Sequence, residues 1–254
     1  MTQSPIQVAR EYSNQVLRIT LHTPPANVLT AATMEAMTGA LELARADTDL
    51  KLLLITGAGQ HFSYGASVAE HLPEQAAAML RVFHTLIEQV ITHPVASLAV
   101  VRGQCLGGGF ELALAASQLF AESSARLGVP EIKLGVFPPV AAALLPTAQA
   151  AKLILTGRSY PAEKLAPAGL VASLSDPEAL DEAVREHIEK SVLPLSAAAL
   201  RFAHRALRMQ QIRHFRAVIG DLESLYLDEL MASHDAREGI QSFLDKRTPV
   251  WSNA

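Results

Sequence analysis

The apolar residues of the chain form two patterns, short uninterrupted runs and longer stretches with a helical period. Residues 52–56 and 97–101 are runs without polar alternation, which is typical of parallel strands buried on both faces. Residues 6–10 and 16–21 predict an antiparallel pair of strands, because a Tyr-Ser-Asn turn separates them. A helix predicted over 30–46 completes the order strand, helix, strand, which favours an α/β domain.

Helical periods continue along the chain and dominate its last third. After a predicted strand at 118–122, the helices are expected to start at 138 and 175 and to cover 147–155, 196–209, 215–230 and 234–244; another is expected earlier, at 75–92. We therefore predict two parts, a core at residues 1–194 and a helical region at residues 195–254.

Residues 97–115 join a buried strand to a helix through three glycines, Gly107 to Gly109. The first amides of a helix have no acceptor within it, and glycines let another group approach them closely. Such a site attracts negative charge. Glu111 follows among apolar residues, so burial should disfavour its ionised form. Two interpretations stay open here: a catalytic anion site, or a packing turn in which Glu111 only stabilises the helix.

Composition and charge exclude several classes of protein. The 254 residues are half apolar, with a net charge of -4 and one cysteine, so we expect neither polyanion binding nor a disulfide framework. No apolar run reaches the roughly 18 residues of a membrane span. The amino terminus lacks a signal-peptide pattern, so a cytoplasmic protein is expected. None of the nine histidines lies in a His-Glu-x-x-His pattern, and no metal is expected.

Arg201, Arg205 and Arg208 share one face of a predicted helix and raise an alternative from another class, a protein that binds RNA or a partner protein. Aromatic residues are not interleaved with these arginines, and the whole chain is acidic. A solvated or inter-subunit face is therefore the preferred interpretation.

Three motifs follow in order along the chain: FSYGA at 62–66, GGGFE at 107–111 and GVPEIKLG at 128–135. Each supplies a loop amide or an acid flanked by apolar residues. Together with PAN at 25–27 and AREGIQSFLDKR at 236–247, they resemble the crotonase (enoyl-CoA hydratase/isomerase) superfamily. The resemblance covers nearly the whole chain.

The resemblance implies an α/β fold built as a spiral of β-β-α units, with a helical carboxy-terminal trimerisation region. It also implies homotrimers or hexamers made of two trimers. The substrate would be an acyl-CoA thioester, and no separate cofactor is expected because CoA is part of that substrate.

The same resemblance assigns roles to residues. The amides of Ala66 and Gly108 would form an oxyanion hole for the thioester carbonyl. Glu111 would activate water and Glu131 would act as the acid. Two carboxyls in one apolar pocket repel when both are charged, so one is expected to keep a proton near neutral pH. Further contacts to the substrate are predicted at Ala26, Tyr64, Gly65, Val68, Gly107 and Phe137. For Lys246 and Arg247 two interpretations stay open, a contact with a CoA phosphate and a solvated tail.

Two segments depart from the common family pattern. Ser67 stands where many members have the Asp of Gly-Ala-Asp, and PPVAAA at 138–143 replaces a glycine-rich segment. Proline and alanine stiffen the backbone and add methyl groups near the acyl pocket. Segments 62–68 and 135–146 look most like the cyclohexa-1,5-diene-1-carbonyl-CoA hydratases.

That likeness implies that water adds at the β carbon of a cyclic dienoyl thioester while a proton goes to the far end of the diene. A straight-chain enoyl-CoA hydratase fits the two acids equally well. An isomerase or a thioester hydrolase is less favoured, because those reactions often need one acid or an acid at a different place.

Overall fold

The computed structural model describes residues 4–254, and two sheets form its framework. The strands in this range are β1 (Ile6–Glu11), β2 (Val16–Leu21), β3 (Leu52–Gly57), β4 (Ser97–Val101), β5 (Gln104–Leu106), β6 (Gln118–Glu122), β7 (Arg126–Gly128), β8 (Ser159–Pro161) and β9 (Ser173–Ser175). Six of them form a mixed sheet in the order β1-β2-β3-β4-β6-β9, and β5-β7-β8 form a smaller sheet. In the large sheet β1 pairs antiparallel with β2, and every later neighbour pairs parallel.

Helices cover the large sheet on both faces and fill the carboxy-terminal third. They are α1 (Ala31–Ala44), α2 (Pro73–Thr92), α3 (Gly108–Ala115), α4 (Pro139–Leu144), α5 (Thr147–Ile154), α6 (Ala162–Leu165), α7 (Leu180–Glu186), α8 (Ala197–Ser224) and α9 (His234–Leu244). Helix α1 begins after Thr30, whose hydroxyl accepts the amide hydrogen of Thr33 at 3.3 Å. The expected α/β class is confirmed.

The core lies on both faces of the large sheet because alternate residues of each strand point in opposite directions. Leu53 and Ile55 of β3 belong to the larger cluster, which α1 and α2 cover. Leu54 belongs to a second cluster with Leu98 and with Leu180 of α7. Burial on both faces explains why β3 and β4 are uninterrupted apolar runs.

The long strands lie where the hydrophobic pattern predicted them, whereas the short ones were missed. Only helices were predicted from residue 138 onward, and this is wrong in part because the strands β8 and β9 also lie there. Ser175 ends β9 instead of starting a helix, and α7 begins at Leu180. The two helices predicted at 196–209 and 215–230 are one continuous α-helix up to Ser224, followed by a π-helical segment at Leu225–Glu229.

The predicted helical carboxy-terminal region is present and packs on the rest of the chain. Helix α8 contacts α2 and α4, and α9 contacts the turns at 68–71 and 131–134. Arg208 of α8 is buried and donates to the Ala115 carbonyl at the end of α3, at 2.7 Å. Arg201 donates to the Asp47 carbonyl, whereas Arg205 is exposed. The three arginines therefore do not share one exposed face. Across residues 4–254, no helix has the length and apolar character that crossing a membrane would take.

Candidate active site

A cavity of about 680 Å³ lies where the end of β5 and the start of α3 meet the loop at 64–69 and the turn at 131–134. Its wall contains most of the predicted site residues: Tyr64, Gly65, Ala66, Val68, Gly107, Gly108, Glu111, Glu131, Phe137 and Arg247. Residues separated by up to 183 positions in the sequence are thus brought to one place.

Ala66 and Gly108 bring two backbone amides together. A methyl group built on Gly108 would lie 3.2 Å from the Ala66 nitrogen. Within residues 4–254 neither amide donates to a protein acceptor, and Gly108 is the first residue of α3, where such amides are left free. Two adjacent free donors at a helix start suit an oxygen that develops negative charge.

The loop that carries the Ala66 amide is held by buried hydrogen bonds. Ser63 Oγ donates to the Asn27 carbonyl at 2.7 Å and accepts the Gly65 amide hydrogen at 3.0 Å. Leu29 donates its amide hydrogen to the Gly65 carbonyl at 2.9 Å. Ser63 was not predicted as a site residue, since an isolated serine in a loop gives no signal in one sequence.

Asn27 is a second supporting residue whose role the sequence did not reveal. It is fully buried and its φ is +45°. Its Nδ2 donates to the carbonyls of Ala58 and His61 at 2.9 and 2.8 Å, and its Oδ1 accepts the Thr23 amide hydrogen at 3.1 Å. Asn27 thereby fixes the segment that leads into the Ala66 loop.

Glu111 lies in the first turn of α3 with its side chain buried. Its Oε1 accepts the Ala141 amide hydrogen at 2.8 Å. Burial raises the pKa of Glu111 from its ordinary value of 4.5 to about 7, although the amides of Ala141 and Val140 act in the opposite direction by stabilising the carboxylate. A carboxyl with this pKa exchanges a proton readily near neutral pH.

Glu131 begins the turn at 131–134, and its Oε2 is inaccessible and without a hydrogen-bond partner in the described part of the chain. Burial first, and then the charge of Glu111, raise the pKa of Glu131 well above its ordinary value. Gly107 makes room for this carboxyl: its φ is +53°, and a methyl group there would come within 2.6 Å of Glu131 Oε1. The pair therefore suits one protonated and one ionisable carboxyl in the same cavity.

Two predicted contacts lie elsewhere. Ala26 is outside the cavity wall, and its carbonyl accepts the Tyr64 amide hydrogen at 2.9 Å. Lys246 is also outside the wall and is exposed, whereas Arg247 reaches the wall while its guanidinium pairs with Glu238 at 2.5 and 2.8 Å. Their predicted substrate contacts stay predictions.

Lys133 and Tyr226 also line the cavity and were not predicted. No acidic group of residues 4–254 pairs with Lys133, so its ammonium is available to an anionic group in the cavity. Tyr226 comes from beyond α8, and its helical sequence context gave no indication that it reaches the cavity. The part of the chain that the structure describes contains no group of three His, Cys, Asp or Glu side chains suited to hold a metal ion.

Comparison with known proteins decides the family. Residues 11–254 match the enoyl-CoA hydratase/isomerase family. The chain belongs to this family. It is 43% identical over 255 residues to a cyclohexa-1,5-dienecarbonyl-CoA hydratase of Thauera aromatica, with 98% of each chain covered. It is also 32% identical over 250 residues to a probable enoyl-CoA hydratase of Bacillus subtilis, covering 91% of this chain and 93% of the relative.

Solved structures of the enoyl-CoA hydratase/isomerase family share the fold. An enoyl-CoA hydratase from Mycobacterium avium subsp. paratuberculosis superimposes with a TM-score of 0.86 at 25% identity, with 98% of both chains covered. The predicted crotonase resemblance, the crotonase-type fold and the enzyme class, an acyl-CoA hydratase, are therefore confirmed.

Proposed function

We propose that this member of the enoyl-CoA hydratase/isomerase family adds water to a conjugated cyclic dienoyl-CoA thioester. The observation that carries the proposal is the pair of buried carboxyls, Glu111 and Glu131, in one cavity with the free amides of Ala66 and Gly108. Hydration of a conjugated thioester needs these parts: a base for water, an acid for carbon and donors for the enolate oxygen.

In this mechanism the amides of Ala66 and Gly108 hold the thioester oxygen while it gains negative charge. Ionised Glu111 takes a proton from water as the oxygen bonds to the β carbon. Glu131, whose pKa is held well above its ordinary value by burial and by the charge of Glu111, gives its proton to the far end of the diene. A proton then passes from Glu111 to Glu131 and restores the resting pair. The net change is the addition of one water molecule.

The side chains of the cavity wall and the similarity to the Thauera aromatica relative support the proposal of a cyclic substrate. Phe137 and Tyr226 pack edge to face, with ring centroids 5.4 Å apart, and both line the cavity with Val68. Pro139 opens α4 in the same wall and stiffens it. The Thauera aromatica relative, 43% identical over 98% of this chain, is named for a cyclic dienoyl substrate.

We expect a homotrimer or a hexamer of two trimers, acting in the cytoplasm without a separate cofactor. Large apolar side chains exposed on α8 support the assembly: Phe202 is 72% and Leu207 71% exposed.

A straight-chain enoyl-CoA hydratase is the second candidate, because linear substrates need the same two acids and the Bacillus subtilis relative is named as a probable enoyl-CoA hydratase. Binding of RNA is not favoured, since Arg201 and Arg208 are engaged by backbone carbonyls of this chain.

A spectrophotometric comparison of two substrates tests the proposal. Purified protein is assayed with cyclohexa-1,5-diene-1-carbonyl-CoA and with crotonyl-CoA, and kcat/KM is measured for each. We expect kcat/KM for the cyclic diene to be at least a hundred times higher. Equal values, or a preference for crotonyl-CoA, would reject the ring and leave the straight-chain hydratase.

A further inference from the structure

Tyr226 brings a polar group from the carboxy-terminal region into the cavity of the two glutamates. It lies in the π-helical segment at Leu225–Glu229, and π-helical turns often occur at functional sites. Three residues earlier, Glu223 pairs with buried His84 of α2, which fixes the end of α8. The Tyr226 ring is 1% exposed and packs on Phe137. Its position is thus set on several sides.

The hydroxyl of Tyr226 is buried and has no hydrogen-bond partner within residues 4–254. Burying a hydroxyl without a hydrogen-bond partner is unfavourable, so such groups in native proteins call for an explanation. Burial, and then the charges of Glu131 and Glu111, raise the pKa of Tyr226. The phenol therefore keeps its proton and can donate a hydrogen bond, but it is a poor acid.

Tyr226 lines the same cavity as Glu111 and Glu131. Glu131, whose Oε2 is also inaccessible and without a partner in the described part of the chain, belongs to the same wall. The thioester oxygen belongs with the amides of Ala66 and Gly108, which leaves the incoming water as the substrate oxygen nearest to the glutamates. An oxygen held there can accept from Tyr226 while Glu111 accepts its proton.

We propose that the Tyr226 hydroxyl donates a hydrogen bond to the oxygen that the reaction transfers, as water before the carbon–oxygen bond forms and as the alcohol afterwards. Tyr226 keeps its own proton throughout, and the proton balance between water, Glu111 and Glu131 is unchanged. The inference deepens the proposed function and rests on it for the cyclic substrate. It makes Tyr226 the residue that distinguishes a hydroxylated acyl group from the same group without the hydroxyl.

Tyr226→Phe tests this by removing one oxygen atom. KM is measured for dehydration of hydroxycyclohexenecarbonyl-CoA, and the inhibition constant for cyclohexenecarbonyl-CoA, which has the same ring without the hydroxyl. Loss of one hydrogen bond should raise the first value about tenfold and leave the second within twofold. Equal changes in both, or none in either, would overturn the proposal, because a residue that only forms the wall does not sense the hydroxyl.

Two further variants serve as controls. Tyr12→Phe removes a phenol oxygen in the turn between β1 and β2, away from this cavity, and should change neither constant. Phe137→Leu alters the wall that Tyr226 packs on and should change both constants alike. If Tyr226→Phe melts at a much lower temperature than the wild type, Tyr226→Met provides a second test, since it also lacks the hydroxyl.

The same measurements with β-hydroxybutyryl-CoA and butyryl-CoA separate the two proposals. If the wild type binds neither cyclic thioester but dehydrates β-hydroxybutyryl-CoA and binds butyryl-CoA, the proposed preference for a cyclic substrate is wrong. The two linear thioesters then still test the role of Tyr226. If the cyclic pair binds to the wild type and Tyr226→Phe affects both ligands alike, the role of Tyr226 fails while the proposed function stands.

Discussion

The proposed reaction depends on which of two residues, Glu111 or Glu131, holds the proton. Glu111, with a pKa of about 7, must be ionised to take a proton from water, and Glu131 must be protonated to give one to carbon. We therefore expect kcat/KM to rise as the pH increases through about 7 and to fall at higher pH, where Glu131 loses its proton. The rise and the fall of this pH profile report the titration of Glu111 and Glu131 as a coupled pair. A flat profile between pH 5 and 9 would contradict this.

A substitution at Gly107 tests how closely this residue fits against the Glu131 carboxyl. Alanine there combines a φ of +53° with a contact of 2.6 Å to Glu131 Oε1, so Gly107→Ala must displace the acid. We expect kcat/KM to fall at least tenfold, since small displacements of catalytic groups cost rate steeply.

The matched control is Gly39→Ala in α1, where nothing lies within 4 Å of the added methyl group. This substitution should leave kcat/KM unchanged and stabilise the protein slightly. If Gly107→Ala is equally harmless, the fit between this glycine and Glu131 has no functional role.

Among the structural elements, the segment between β2 and α1 carries Asn27, which donates to two carbonyls of the segment after β3 that leads into the Ala66 loop. Asn27→Gly keeps a residue that tolerates a φ of +45° but deletes three hydrogen bonds. We expect the free energy of unfolding to fall by about 2 to 4 kcal/mol and kcat to fall at least tenfold. Urea denaturation and steady-state kinetics measure the two effects.

Asn14→Gly is the corresponding control, because Asn14 has a φ of +69° in an exposed turn. It should change unfolding by less than about 1 kcal/mol and leave kcat unaffected. An equal effect of the two substitutions would mean that the buried hydrogen bonds of Asn27 do not hold the loop.

The elements that the sequence predicted are those with a long and clear period. β3 and β4 are apolar on both faces, and α1 repeats apolar residues at helical spacing, so their burial decides their structure. The three-residue strands β5, β7 and β8 are too short to show a period, and partners far along the chain determine them. The sequence motifs indicated the residues of the cavity wall that lie within them. Tyr226 lies outside these motifs, and its position in the wall depends on where α8 ends.

For the whole molecule, the exposed apolar side chains of α8 favour an assembly in which other copies of the chain cover this helix. Phe202 and Leu207 are more than two thirds exposed in the single chain, which is costly in water. We expect light scattering after size exclusion to give three or six times the mass of one chain at micromolar concentration. A mass of one chain, unchanged on concentration, would contradict the trimeric assembly.

The proposed mechanism requires both Glu111 and Glu131 for the addition of water to the acyl group. The rate of hydration of the cyclic dienoyl-CoA should be measured for the wild type, Glu111→Gln and Glu131→Gln, with melting temperatures to show that each variant is folded. Each substitution is expected to lower kcat at least a hundredfold, since glutamine fits the same space but can neither take nor give the proton. If either folded variant keeps a kcat within a few fold of the wild type, the two-carboxyl mechanism is wrong.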